Sequence, residues 1–253
     1  MKNIFLLITI LSYLNSYSQD IPSDSLILKT IFGKTDKAGK TFSCKYSGDE
    51  AIFSYQDSVV YRTVFKSKVN LDNQNLILAI IEAPYGTQNG HQFGYRDIYF
   101  LKSQEGKLEL VDSVKSDGIT PIGDKSAFEV VDIGRNKKAL ISTFQSTGNQ
   151  HFENTKNILL LELNNLTYLF SIYAEYDNSS SKPTETENDS CQAERFEETY
   201  EIIKTDSEWY NIKVHRKTYG FTKGCKERYI TQDSDKEYSY RDGKYVESNI
   251  KNN

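Results

Sequence analysis

The sequence predicts an all-β protein assembled from repeated, propeller-like or stacked four-stranded units. Three features indicate this fold: a residue composition suited to sheets, short apolar runs separated by turn sequences, and internal similarity at a fixed spacing. Aromatic residues make up 13% of the chain, led by 18 Tyr, whereas Met and Pro are scarce. This composition favours sheets over helices because aromatic and β-branched side chains pack well across neighbouring strands.

Turn sequences divide the chain into short apolar or alternating segments, which predict strands. Hairpin turns are expected at 104–106, 135–137, 164–165 and 242–243, where Gly, Asn or Asp tolerates unusual backbone angles. A short amphipathic turn or helix is expected at Asp24–Phe32. The predicted strands are 51–55, 58–65, 76–83, 96–102, 107–114, 127–133, 139–144, 157–163, 166–176, 195–204, 209–217 and 227–231.

Residues 1–18 have the features of a signal peptide. Lys2 precedes an apolar run, Ile4–Leu14, and small residues at Ser16 and Ser18 predict cleavage before Gln19. The run is too short to cross a bilayer, which takes about 20 apolar residues. We therefore expect a single β-rich domain at 19–253, exported to a periplasmic or extracellular space and without a membrane span.

The charge distribution argues against a nucleic-acid partner. The formal net charge of -4 arises from interspersed acidic and basic residues, with no basic block. A small ligand, a glycan or another protein is the expected partner class.

Three cysteines, Cys44, Cys191 and Cys225, cannot all pair within one chain. Export permits a disulfide, and Cys191 with Cys225 is the preferred pair because both flank the C-terminal strands. Cys191 follows the polar, low-complexity segment 177–190, which is expected to be a mobile surface loop. The alternative is three buried thiols. A catalytic cysteine is not indicated, because no histidine-bearing motif accompanies any of them.

The most informative feature is internal similarity at an offset of 60 residues, since 139 − 79 and 151 − 91 both equal 60. Ala79-Ile80-Ile81 and Ala139-Leu140-Ile141 are each followed by a T-x-N-x-H motif and then by an apolar strand containing Ile98 and Leu101 or Ile158 and Leu161. Such a period predicts a propeller blade or a stacked unit, here 76–133 and 139–204. The alternative is a β-sandwich with a duplicated hairpin.

The passage Val131–Ile141, a turn followed by an apolar strand, resembles a degenerate FG-GAP/VCBS-type propeller repeat. Asn70–Asn75, leading into the next apolar strand, is similar, and the resemblance covers at most residues 69–245. In that family the turn often binds calcium through several acidic residues. Only Asp132 and Asp72 stand as carboxylates in these turns, whereas calcium needs 6 to 8 oxygen ligands. The resemblance therefore implies a fold and no calcium ligand.

The two T-x-N-x-H motifs suggest a ligand-binding rim if their loops open on the same side of the protein. Polar groups and aromatic rings of this kind can bind a small ligand or a carbohydrate. The alternative is that each motif hydrogen-bonds its own loop backbone. Because His215 is the only other histidine, no zinc site or other cofactor is expected. The candidate rim residues are Thr87, Asn89, His91, Tyr95, Thr147, Asn149, His151 and Phe152.

Two acidic clusters are interpreted as solvated surface. Asp233, Asp235 and Glu237 are expected in an acidic turn, and the second cluster, on one exposed strand face, is Glu194, Glu197, Glu198 and Glu201. The sequence lacks a Gly-x-Ser-x-Gly elbow, a Walker loop, His-Glu-x-x-His and Cys-x-x-Cys, so catalysis is not favoured.

The sequence thus favours an exported recognition module that binds at the T-x-N-x-H rim. One alternative is an envelope inhibitor or immunity-type protein that binds another protein through an acidic face. The other is a hydrolase with dispersed carboxylates.

Overall fold

A computed structural model describes residues 21–33, 41–44, 59–88, 91–115, 120–121, 127–148, 151–177, 195–222 and 227–248. This part of the chain is all-β apart from one helix, as predicted. The elements are α1 (Asp24–Phe32), β1 (Thr41–Cys44), β2 (Val59–Leu71), β3 (Gln74–Gln88), β4 (His91–Gln104), β5 (Lys107–Val114), β6 (Thr120–Pro121), β7 (Ala127–Gly134), β8 (Lys137–Gly148), β9 (His151–Glu162), β10 (Asn165–Asp177), β11 (Arg195–Ile203), β12 (Asn211–Phe221), β13 (Arg228–Arg241) and β14 (Lys244–Glu247).

The strands form two antiparallel sheets, neither of which closes within the described residues. The first sheet has the order β1-β2-β3-β4-β5, and the short strand β6 also pairs with β4. The second sheet contains β7 to β14 in sequence order. All four predicted hairpin turns are confirmed, and each contains positive φ angles, as at Glu105, Asn136, Asn164 and Asp242.

The two sheets share an apolar core. Leu76, Leu78 and Ile80 of β3 pack in one buried cluster with Leu140 of β8 and Leu161 of β9. Consecutive strand residues point to opposite faces, so these even-numbered β3 residues form the face toward the second sheet. The sheets are therefore layered against each other.

Helix α1 covers the other face of the first sheet, where Ile27 and Leu28 pack with Ala79 and Ile81. The Ser23 side chain caps the helix by accepting a hydrogen bond from the Leu26 N–H at 3.3 Å. The predicted helix is confirmed at its predicted bounds.

The second sheet folds over onto itself. Phe170 of β10 packs against Tyr238 of β13, with ring centroids 4.5 Å apart, and against Tyr245 of β14. The backbone N–H of Tyr210 donates to the C=O of Ile133 at 2.9 Å, which fixes the segment before β12 beside the β7–β8 turn. Gly134 is required there, because a Cβ would lie 2.3 Å from the Glu208 carbonyl oxygen.

The β3–β4 and β8–β9 hairpins, which are related by the 60-residue offset, share the same register at the turn but differ in packing. Gln88 pairs with His91, and Gly148 pairs with His151. A β-bulge between Pro84 and Gly86 then shifts the register of the first hairpin alone. The shift turns the following side chains of β4 to the opposite face relative to β9.

The consequence appears at two aligned pairs of residues. Ile98 lies in the core between the sheets, whereas its counterpart Ile158 lies in the core of the folded second sheet. Leu101 packs under α1, whereas Leu161 lies between the sheets. The two hairpins therefore pack differently beyond the bulge.

Three further expectations are corrected or limited by the described residues. The predicted unit 76–133 does not coincide with one sheet, because it contains β3 to β6 of the first sheet and β7 of the second. The strand predicted to end at 231 continues to Arg241 as β13. The predicted strand 51–55, the signal peptide and the loop after Asp177 lie outside the described residues.

Candidate functional site

The most distinctive polar surface lies on β11, β12 and β13, which pair side by side. Their register places alternate residues on one face. On the opposite face, apolar residues at one end of the three strands pack into the core of the folded second sheet: Tyr200, Ile202, Ile212, Val214 and Tyr238. The core therefore supports the end of the polar face that contains Glu201, Lys213 and Glu237.

We call this polar surface the charged face. It consists of three rows that run across the strands, and in each row the β12 residue lies between one residue of β11 and one of β13. Acidic side chains outnumber lysines in this arrangement, so the face is negative overall. The rows are Glu197–Lys217–Asp233, Thr199–His215–Asp235 and Glu201–Lys213–Glu237.

His215 occupies the centre of the charged face and contacts two carboxylates. Its Nδ1 lies 2.7 Å from Oδ1 of Asp235, and its Nε2 lies 3.2 Å from Oδ1 of Asp233. A neutral imidazole has a single N–H. Both contacts are therefore hydrogen bonds only when the ring is protonated, and that form lowers the negative charge of the face.

Lys213 binds the second oxygen of Asp235, with Nζ 2.7 Å from Oδ2. The hydrogen bonds from Lys213 and His215 hold the pKa of Asp235 below its ordinary value, and Asp235 in turn raises the pKa of Lys213. A shallow depression of about 300 Å³ opens here, lined by Thr199, Tyr200, Glu201, Lys213, His215 and Asp235.

One end of the charged face carries a second ionic cluster. Arg195 Nη2 lies 2.8 Å from Glu175 and 3.0 Å from Glu197, and Arg195 Nη1 lies 3.3 Å from Asp177. The Tyr219 hydroxyl donates to Glu197 at 3.1 Å. These contacts join β10 to β11 and extend the acidic surface beyond the three rows.

The structure corrects the placement of residues in both acidic clusters. Asp233, Asp235 and Glu237 lie on a strand instead of a turn, and two of them form ion pairs. Glu198 does not share the face of Glu197 and Glu201, because it pairs with Arg216 on the opposite side. Glu194 lies outside the described residues.

The charged face left a readable sequence signal. Lys213, His215 and Lys217 alternate along β12, and Asp233, Asp235 and Glu237 alternate along β13. A period of two is typical of a strand with one solvated face. That alternation could have identified each strand, although it could not have shown that the two strands are neighbours.

The residues of the predicted rim are only partly described. Thr87 lies in β3, His91 and Tyr95 in β4, Thr147 in β8, and His151 and Phe152 in β9. Asn89 and Asn149 lie outside the described residues. The backbone places both histidines directly after their turns, while a shared rim stays a prediction.

The cysteines fall mostly outside the described residues as well. Cys44 lies in β1 and pairs with Val59, whereas Cys191 and Cys225 are not described. Arg195 pairs with Tyr219, so the start of β11 and the end of β12 lie at the same end of the sheet. That arrangement is compatible with the predicted disulfide, which stays a prediction.

Within the described residues, no group of three or more His, Cys, Asp or Glu side chains is placed to hold a metal ion. Nor does that part of the chain contain a helix with the length and apolar character needed to cross a bilayer. Comparison of the chain with protein families, curated proteins and solved structures yields no match. A functional proposal therefore rests on the geometry of the charged face.

Proposed function

We propose that this chain is an exported recognition protein that binds a basic partner protein through the charged face. The observation that supports this most directly is the strand register, which gathers five carboxylates around two lysines and His215 on one sheet surface. Because one end of these strands is packed into the core on the opposite side, the charges at that end keep their spacing when a partner arrives. Complementary charge of this kind speeds association and selects partners.

The shape of the surface also favours a protein partner. The depression at His215 is open and shallow, whereas small-molecule sites are usually clefts that enclose most of the ligand. A broad polar surface on strands is better suited to a second macromolecule. Among the functions considered from the sequence, this proposal corresponds to the inhibitor or immunity-type protein.

Site-specific charge removal tests the proposal. The face variant Glu201→Gln/Asp233→Asn/Asp235→Asn is compared with the control variant Asp72→Asn/Glu105→Gln/Asp242→Asn, which removes the same charge at exposed turns. Each protein is immobilised and exposed to the exported protein fraction of the source cells. We expect a stoichiometric basic protein to be retained by the native chain and the control variant, and lost from the face variant. Equal retention by all three proteins would reject the charged face as the binding site.

A second candidate function is ligand binding at the T-x-N-x-H rim, supported by the equal turn registers at His91 and His151. We infer that the two hairpins arose by duplication, in line with the repeat and the FG-GAP/VCBS-type resemblance. Under this proposal, His91→Ala/His151→Ala loses less than about 0.5 kcal/mol of unfolding free energy, as is usual at exposed loop ends. A loss of about 1 to 3 kcal/mol for each histidine in urea melts would show that the motifs instead hold buried loop backbone.

A further inference from the structure

Strand β13 has an exposed backbone edge. Residues 228–238 pair with β12 on one side, while β14 covers only residues 238–241 on the other. One additional hydrogen bond, from the Ser248 N–H to the Glu237 C=O at 2.6 Å, extends that coverage to Glu237. No described residue pairs with residues 228–236 on this side, which we call the open edge.

The hydrogen bond to Glu237 fixes the direction of the neighbouring backbone groups. The Glu237 C=O points toward β14 and therefore away from β12. The direction alternates along a strand with a period of two, and the register between Asp233 and Glu237 contains no bulge. The backbone N–H and C=O of Asp233 and Asp235 therefore point to the open edge.

The same two residues direct their side chains onto the charged face. Their carboxylates are about half exposed, at 49% for Asp233 and 48% for Asp235. Asp233 contacts His215 through Oδ1, and no described cation lies within ion-pair distance of its Oδ2. Tyr229 and Ile230, at 54% and 53% exposed, add apolar surface at the start of the strand.

We propose that an extended segment of the partner protein, with Lys or Arg at alternate positions, adds to the open edge as a further strand. This inference rests on the proposed function and specifies how the partner binds. Residues opposite Asp233 and Asp235 in an added strand would have their Cβ atoms about 5 Å away and on the same face. Basic residues there would meet carboxylates, while the backbone of the added strand would satisfy the open edge.

A second copy of this chain fits the open edge poorly. Antiparallel pairing centred on Ser234 would place Asp233 of each copy opposite Asp235 of the other. Like charges directly opposite each other destabilise a strand pair. The acidic edge therefore selects a basic strand and opposes self-association, which is a common danger for exposed edges.

Short synthetic peptides test the mode of binding. The probe alternates Lys and Thr. One control peptide replaces every Lys by Glu. Another carries N-methylated backbone amides at every Lys, which keeps the charge and removes the N–H groups that would face the open edge. Binding is measured by titration and by hydrogen exchange of individual backbone amides. We expect the Lys-Thr peptide to bind best and to protect the amides of Asp233 and Asp235, while the Lys236 amide, directed to β12, changes little.

Two variants at one position separate charge from backbone pairing. Asp233→Asn removes the carboxylate, and we expect binding to weaken about three- to tenfold. Asp233→Pro also removes the N–H at the open edge, a position where proline is tolerated, and we expect a further loss of similar size. Equal affinity of the Asn and Pro variants, with equal binding of the N-methylated peptide, would overturn strand addition and leave the charged face as the recognition surface.

Two other results would be decisive. Equal binding of the Lys and Glu peptides would overturn both this inference and the proposed function. A variant that ends at Ser248 tests whether residues 249–253 compete for the edge. Binding seen only with that shortened chain would show that the intact protein does not offer the open edge to a partner, and would overturn the inference.

Discussion

Glu82 and Arg96 lie opposite each other on β3 and β4, with Arg96 Nε 2.9 Å from Oε2 of Glu82. The Glu82 side chain is only 2% exposed, and Arg62 of β2 binds its other oxygen from the opposite side. The Arg96 guanidinium also stacks over Phe128 of the second sheet, 5.5 Å from the ring centroid. A buried carboxylate thus holds two arginines at the margin of the core between the sheets.

Replacing Glu82 by Gln should lower the free energy of unfolding by about 3 kcal/mol or more. The reason is that the substitution removes a buried carboxylate that binds two arginines, one of them only 12% exposed, which is costlier than losing an exposed ion pair. Urea melts provide the measurement. The control is Asp132→Asn, which breaks the exposed pair with Lys138 and should cost about 1 kcal/mol or less. Equal losses in the two variants would contradict the proposed role of burial.

Replacing Tyr245 by Phe should weaken the fold at neutral pH by about 1 kcal/mol. Tyr245 is buried, and its hydroxyl donates to the C=O of Tyr210 at 2.9 Å, which would lose its partner. The control is Tyr168→Phe, because the Tyr168 side chain is exposed and its hydroxyl bonds only to Ser171 among the described residues. Denaturant melts that find the two losses equal would contradict a structural role for the buried hydroxyl.

The same residue should make the protein sensitive to alkali. Burial, with a smaller effect of Tyr240, raises the pKa of Tyr245 far above the ordinary value of about 10. In the unfolded chain the phenol ionises near pH 10, while the folded protein keeps its proton. The unfolding free energy should therefore fall as pH rises above about 10, and Tyr245→Phe should show a shallower fall. Parallel curves for the two proteins would disprove this contribution.

Asp235 should contribute to stability in the opposite pH range. Its pKa is lowered by hydrogen bonds from Lys213 and His215, so its stabilising contribution is present above about pH 4 and is lost as pH falls further. Asp235→Asn should therefore flatten the acid side of the stability curve. Thermal melts across this range, with Asp242→Asn as the exposed control, provide the measurement. An unchanged acid slope in the Asp235 variant would count against the ion pairs.

The predicted disulfide between Cys191 and Cys225 can be tested by peptide mapping and by reduction. If Cys191 and Cys225 are bonded, non-reducing peptide mapping should recover them in one linked fragment and find Cys44 as a free thiol. Closing a loop of this length stabilises a fold by roughly 3 to 4 kcal/mol, so reduction should lower the urea midpoint. Recovery of Cys191 as a free thiol would exclude the bond.

The sequence was informative about local structure and less so about long-range pairing. Hairpin turns require left-handed backbone angles, and Asn136 and Asn164 tolerate them, so these hairpins can be predicted from the sequence. The placement of β11 beside β12 and β13 depends on contacts between distant segments, which periodicity does not report. The sequence therefore predicts a turn at Asp233 and Asp235, although their alternation is that of a strand.

The bulge between Pro84 and Gly86 also affects how this chain should be aligned with any relative or engineered hybrid. In an ungapped comparison Ile98 and Ile158 would be treated as interchangeable, yet they occupy two different interiors. Replacing the first hairpin by the second, which lacks the bulge, would turn side chains that fill one core toward the core on the other side of the sheet. One extra backbone residue thus lets two nearly matching stretches of sequence serve separate packing environments.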